Sequence, residues 1–295
     1  MRFRPFGMTG KTVSAVSLAL HATHAHASAE GWRGVIFAGL ENGINCFDLA
    51  DRSAPLAGGV GLALQAVDRR LLFLIWTLRG DSRQALTAQA IADSVRDGLK
   101  YSGARYFDVL MLDETAFHTL TPQAHAYLEQ LRAKRFVLQL GLRGAGEALQ
   151  TAVADPAFEV LATPYNIASE RKARQLLRDA SEKDMVTIAY DAAPGDLIVP
   201  PRPSQTPEVM KRTRQNPLAD VGTYAFLHST QNWSAEELCI AYALIEPALA
   251  TIQFEITDPA HIALVAATPE REPPSSLGAQ IEMARFGHDA VRKQA

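Results

Sequence analysis

Short apolar runs alternate along this chain with stretches whose apolar positions fall three and four apart. The runs are Val16–Leu20, Ile44–Asp48, Leu71–Leu78, Phe107–Asp113, Phe136–Leu142, Phe158–Thr163, Met185–Asp191 and Ala250–Ile256. Each has strand length and little polar alternation, the pattern of strands covered on both faces. Helical spacing is legible between them. Within Ala90–Tyr101, the residues Ile91, Val95 and Leu99 share one face. Ser234-Ala-Glu-Glu237 spells a capping box that opens a helix through Ala243, and Glu246-Pro247 ends it. Eight such repeats predict one (β/α)₈ TIM barrel, with residues 1–295 forming a single domain. Two connections are long. Leu197–Ala219 carries Pro200-Pro201-Arg-Pro203 and Lys211-Arg212-Thr-Arg214, and reads as an exposed loop after the seventh strand. Pro269–Leu277 leads into a C-terminal helix expected over Ala279–Val291.

Composition narrows the partners. A chain of 295 residues can bury a large core, and 47% apolar with 21% charged residues is ordinary for a globular protein. A net charge of −3 and a pI near 6.2 leave no basic footprint for nucleic acid and no polybasic membrane face. Cys46 and Cys239 stand far apart in apolar segments, as two buried thiols of a reduced protein would. The opening Met1-Arg-Phe-Arg-Pro-Phe-Gly7 is too polar for a signal peptide, and no apolar run is long enough for a membrane span. The expectation is a cytoplasmic protein without membrane insertion.

Ile44-Asn-Cys-Phe-Asp48-Leu-Ala-Asp51-Arg-Ser53 resembles the second-strand signature of the aldo-keto reductases. There, an apolar strand ends in Phe-Asp-Thr-Ala and a tyrosine follows five residues after the aspartate. The similarity runs from Arg4-Pro-Phe-Gly-Met-Thr-Gly10 and Val13-Ser-Ala15 to Asp258-Pro259, nearly the whole chain. It implies a barrel of aldo-keto reductase type, with residues 1–10 in the hairpin that plugs the barrel bottom. Family catalysis uses an aspartate, a tyrosine, a lysine and a histidine, each at the end of a strand. The corresponding positions here are Asp48, Ser53, Thr77 and Asp113. The tyrosine is the family's proton donor, the lysine lowers its pKa and the histidine orients the carbonyl. With those three substituted, no general acid tuned near neutral pH stands at these positions, and loss of reductase chemistry is expected.

The resemblance places cofactor contacts at Asp48, Arg143, Tyr165, Asn166, Tyr190, Asp191, Glu255, Thr257 and His261. Their pattern is eroded unevenly. Gly-x-Gly-Thr after the first strand reads Ser17-Leu18-Ala19-Leu20, and Gly-Val-Ser-Asn after the fifth reads Gly141-Leu-Arg143-Gly144. Tyr165-Asn166 is kept, with Thr163 where glutamine is usual, and so is Ala189-Tyr190, whose tyrosine stacks on the nicotinamide in the family. Glu255 and His261 occupy the positions of the lysine and arginine that hold the 2′-phosphate of NADP. A carboxylate there repels phosphate, so NAD(H) is favoured over NADP(H). The absence of Gly-x-Gly-x-x-Gly fits barrel-type rather than Rossmann-type binding.

Other constellations are weaker. His21-Ala-Thr-His24-Ala-His26 gathers three imidazoles without a fourth ligand, and reads as a polar loop rather than a metal site. Asp108, Asp113 and Glu114, with His118 nearby, could form a hydrolytic carboxylate pair, though a solvated loop is the plainer reading. Lys211-Arg212-Thr-Arg214 reads as a docking patch or a charged helical turn. Neither cysteine has an adjacent base. The pattern is similar to that of an oxidoreductase-like, NAD(H)-binding regulator of bacterial cell division. That resemblance implies protein partners, namely a division tubulin and a cell-cycle histidine kinase. Two alternatives stand beside it: an active reductase using Tyr190, Tyr165 or Asp113 as a displaced acid, and a cofactor-free lyase or hydratase reusing Asp48 and Asp51.

Overall fold

The computed structural model describes residues 1–22, 28–145, 147–199 and 224–292, side chains beyond 285 excepted. Two short strands, β1 (Phe3–Pro5) and β2 (Thr12–Ser14), pair antiparallel as a hairpin with Phe3 opposite Ser14. The hairpin thus runs four residues past the expected end at Gly10, because Thr12 to Ser14 form its return strand. Eight parallel strands follow: β3 (Val16–Leu20), β4 (Cys46–Leu49), β5 (Phe73–Leu78), β6 (Phe107–Asp113), β7 (Val137–Arg143), β8 (Val160–Pro164), β9 (Val186–Tyr190) and β10 (Leu249–Phe254). They close in chain order, with β10 pairing back onto β3, into the (β/α)₈ barrel expected from the sequence.

Helices link successive strands on the outside. They are α1 (Ala29–Glu41), α2 (Ala54–Leu64), α3 (Ala88–Ser102), α4 (Glu114–His118), α5 (Pro122–Ala133), α6 (Glu147–Ala154) and α7 (Arg171–Ser181). After β9 come α8 (Gly195–Ile198) and α9 (Ala235–Ala243), then α10 (Pro259–Ala267) and α11 (Leu277–Arg292) after β10. The capping box forms: the Ser234 hydroxyl accepts from the Glu237 N–H at 3.2 Å, and the Glu237 carboxylate accepts from the Ser234 N–H at 2.7 Å. Of the expected loop at 197–219, Leu197 and Ile198 end α8, Val199 follows it, and the rest lie outside the described residues, as do Lys211, Arg212, Arg214, His24 and His26. Among the described residues no helix is long and apolar enough to cross a membrane.

Alternation along each strand sorts side chains into two cores. Outward-facing residues such as Phe47, Leu74, Trp76, Leu110 and Leu161 pack against the helices. Inward-facing Cys46, Phe73, Ile75, Val109, Met111, Val160, Ala162, Val186 and Ile188 fill the barrel, with Phe6 and Val13 of the hairpin below them. The outer layer is tight where α1 meets α2: a Cβ added at Gly59 would lie 2.4 Å from the Trp32 Cβ. Above the floor the inner layer is largely apolar. Toward the strand C-termini the inward positions turn polar, and Asp48, Thr77, Arg143, Tyr190 and Gln253 form the mouth.

Candidate functional site

At the mouth, β4 presents Asp48, fully buried, and β5 presents Thr77, 2% exposed. The Thr77 hydroxyl donates to Asp48 Oδ1 at 2.6 Å, and the Gln253 amide, reaching in from β10, donates to Oδ2 at 3.1 Å. Gln253 Oε1 in turn accepts from Arg143 Nη1 at 2.6 Å. The Arg143 guanidinium lies 3.8 Å from the centroid of the Tyr190 ring and 3.8 Å, through Nη2, from Glu255 Oε1. Glu255 also meets His21 Nε2 at 3.0 Å, while Arg79 Nη2 donates to His21 Nδ1 at 2.7 Å and Arg79 Nε donates to the Ala50 carbonyl. The result is a polar network across the barrel mouth, from Asp48 through Gln253, Arg143, Glu255 and His21 to Arg79.

The two remaining tetrad positions are engaged elsewhere. Ser53 is the N-cap of α2, its hydroxyl accepting from the Leu56 N–H at 3.4 Å. Asp113 is the N-cap of α4, accepting from the Ala116 N–H at 2.7 Å and from the Gly80 N–H at 2.9 Å. Both side chains satisfy helix-end donors that would otherwise be orphaned. The Tyr190 hydroxyl donates to the Gly144 carbonyl at 3.1 Å, and burial raises its pKa against the opposing pull of Arg143. A phenol so held is less acidic than a free one, not more, which is opposite to the tuning a displaced proton donor needs.

Burial likewise raises the Asp48 pKa, opposed by Arg143, Thr77, Gln253 and His21 in that order. The folded state therefore binds this proton more tightly than the unfolded chain does. Stability from this group is present below the ordinary carboxylate range and is lost as pH rises through the raised value. Asp48→Asn should remove that dependence. Urea midpoints of the two proteins, followed upward from about pH 4, should diverge in favour of the variant. Parallel curves would show that Asp48 titrates normally.

Two cavities open onto this ring. One, of about 320 Å³, runs beside Asp191, Glu236, Gln253 and Ile256; the other, of about 370 Å³, beside Thr77, Arg79, Asp113 and Glu114. Arg143, Tyr190 and Glu255 line both. A larger cleft of about 800 Å³ lies at the opposite end of the barrel, between the hairpin tip at Gly7 and the starts of β7 to β9. The mouth is the better candidate despite its smaller volume, since the polar side chains of five strands converge there and function in this fold sits at strand C-termini.

Of the expected cofactor contacts, the structure brings together Asp48, Arg143, Tyr190 and Glu255, with Asp191 at the edge of the first cavity. Four others line neither cavity. Tyr165 is buried on the opposite side of β8, stacked on Tyr242 of α9 at 6.3 Å between centroids. Alternation explains this correction: Tyr165 shares parity with outward Leu161, not inward Ala162. Asn166 ties its loop to the next by donating to the Asp191 carbonyl at 3.0 Å. Thr257 lies half-buried beyond the end of β10. His261 pairs with Glu236 at 2.9 Å on the first turn of α10. Glu255 and His261 therefore do not act as one clamp, because Glu255 turns inward to His21 and Arg143. Gln253 and Arg79 carry the network and were not singled out from the sequence. A lone glutamine inside an otherwise apolar strand was the available signal. Among the described residues no cluster of His, Cys, Asp and Glu is arranged to hold a metal ion.

The barrel is similar in structure to the aldo-keto reductase AKR11C1 from Bacillus halodurans. Its holo form aligns with a TM-score of 0.73 at 16% identity, over 99% of this chain and 96% of that one. The apo form gives 0.71 at 17%, over 96% and 95%. No curated protein matches the sequence. The family model for the aldo/keto reductase family does match, over residues 34–272. Spanning most of the strands and the ring at their ends, that match establishes that the chain belongs to the aldo/keto reductase family.

Proposed function

We propose that this protein does not run the family's carbonyl reduction and instead uses the barrel mouth to bind NAD(H) as a regulator of protein partners. One observation carries the first half: no phenol, lysine or histidine stands at the four tetrad positions. Ser53 and Asp113 cap helices, while Thr77 and Asp48 are bonded to each other. The second half is supported by what the mouth retains. Tyr190 offers an aromatic face at the junction of two cavities, suited to a nicotinamide ring. Asp191, Glu236 and Glu255 line the first cavity, with Arg143 as its one cation among the described residues. Such a lining repels an added 2′-phosphate and accepts ribose hydroxyls, which favours NAD(H) over NADP(H). When bound, the nicotinamide would supply only a ring to be recognised, and Tyr190 would hold it.

A binding site without a proton donor is useful as a sensor. The degenerate tetrad within a complete family framework is similar to that of the alphaproteobacterial cell-division regulator KidO. On that likeness the partners are the division tubulin FtsZ and a cell-cycle histidine kinase, in the cytoplasm. Titration of the purified protein with NADH and NADPH, followed by nicotinamide fluorescence, should show saturable binding that is tighter for NADH. Equal affinity would sink the cofactor preference, and no binding of either would sink the nucleotide reading. If NADH tightens FtsZ binding by some factor, FtsZ must tighten NADH binding by the same factor. Partner affinity that is indifferent to saturating NADH would end the sensor reading.

A further inference from the structure

We infer that Arg143 is an internal competitor for the ring face of Tyr190, so that a planar ligand gains the stacking site only by displacing the guanidinium. The inference rests on the nucleotide reading above and concerns how that same site opens. Strand alternation turns Arg143 inward at the end of β7, and its side chain crosses the mouth to β9 and β10. There the guanidinium carbon lies 3.8 Å from the Tyr190 centroid. Stacked aromatic rings sit with centroids about 4.5 Å or more apart, so a nicotinamide over this face would claim the volume the guanidinium fills. The occupant is held from three sides. Gln253 Oε1 accepts from Nη1 at 2.6 Å, Glu255 lies 3.8 Å from Nη2, and the ring itself attracts the cation.

The guanidinium also has somewhere to go. Arg143, Glu114 and Glu255 line the 370 Å³ cavity together. Among the described residues Glu114 Oε2 receives a long contact, 3.5 Å from the Ala145 N–H, and has lone pairs to offer. A displaced Arg143 exchanges an aromatic face for a carboxylate and stays paired, which keeps the two states close enough in energy to interconvert. Gln253 then loses its donor while Asp48 keeps both of its own hydrogen bonds, so the buried carboxylate is not orphaned by opening. Apparent affinity falls in proportion to the fraction of molecules in which the face is open. If the guanidinium covers the ring about nine-tenths of the time, ligand binding is weakened about tenfold.

The test compares NADH titrations of the intact protein, Arg143→Ala and Gln253→Met, with thermal melts to establish that each is folded. Arg143→Ala should tighten NADH binding about tenfold, the inverse of that open fraction. Gln253→Met, which removes the 2.6 Å anchor but leaves the cation over the ring, should tighten it by a smaller factor, and it stands as the test should Arg143→Ala fail to fold. Equal or weaker binding by Arg143→Ala overturns it, showing that Arg143 contacts the nucleotide rather than competing with it, while the nucleotide reading survives. Failure of all three proteins to bind NADH overturns both.

Discussion

Asp108→Ala is expected to lower the stability of the protein by about 3–5 kcal/mol, with no change at the barrel mouth. Asp108 sits at the start of β6, 1% exposed, and is the hub of the barrel floor. Its Oδ2 accepts from Arg69 Nη2 and from the Leu74 N–H, each at 2.8 Å, and Oδ1 is ion-paired with Lys11 of the hairpin. Removing the carboxylate leaves the Arg69 guanidinium, whose side chain is 13% exposed, without its counter-charge, and leaves a buried strand N–H unpaired. An uncompensated buried cation costs far more than a lost surface pair. Lys11→Met, on the more exposed partner at 32%, should therefore cost a small fraction of this. Urea denaturation at constant m-value reads the difference directly, and on thermal melts the loss corresponds to on the order of 10 °C. A midpoint for Asp108→Ala within error of the unmodified protein would mean that the floor network does not hold the hairpin.

The second large effect is catalytic. With NADH or NADPH and common aldehydes, turnover is expected to fall short of ordinary family members by at least about 10²–10⁴-fold, the contribution of one positioned proton donor. Ser53→Tyr alone should not recover it. The new phenol would replace the α2 N-cap, costing about 1 kcal/mol, and would meet an Asp48 whose oxygens are already committed to Thr77 and Gln253. No lysine stands at position 77 to lower the pKa of a new tyrosine, and Asp113 is tied to Gly80 and Ala116. Steady-state oxidation of either cofactor at rates typical of the family would overturn the non-catalytic reading and restore the displaced-acid alternative. Turnover of a substrate without any nicotinamide would favour the lyase or hydratase alternative instead.

Legibility differed between scaffold and site. The expected runs Val16–Leu20 and Phe107–Asp113 coincide with β3 and β6, and the helix opened by Ser234 ends at Ala243 as its capping box and Glu246-Pro247 implied. Strand and helix periods are local properties, set within a few residues by side-chain direction and backbone hydrogen bonding, so a sequence carries them openly. The positions of Asp48, Thr77 and Tyr190 at the mouth follow from the same parity counted to each strand's end.

Three things were decided only by the closed barrel. In β10 the register shifts between Leu249 and Thr251, so Ala250 points inward and so does Gln253, although strict alternation would turn Gln253 out. A bulge of this kind is set by how the last strand must pair with β9 and β3 at once, which is a condition of closure and not of the strand's own residues. Tyr165 followed the opposite course: a family-like motif placed it at the site, and parity sent it to the helices. The Arg143 guanidinium, at the end of β7, reached Tyr190 of β9, Gln253 of β10 and Glu255 just beyond it, contacts up to 112 residues apart along the chain. The sequence by itself determined which elements form and which face of each is apolar, because those depend on neighbours a few residues away. Which polar groups would meet at the mouth, and what would already be lying on the tyrosine, depended on the closure of eight strands into a ring, and only the tertiary structure could decide it.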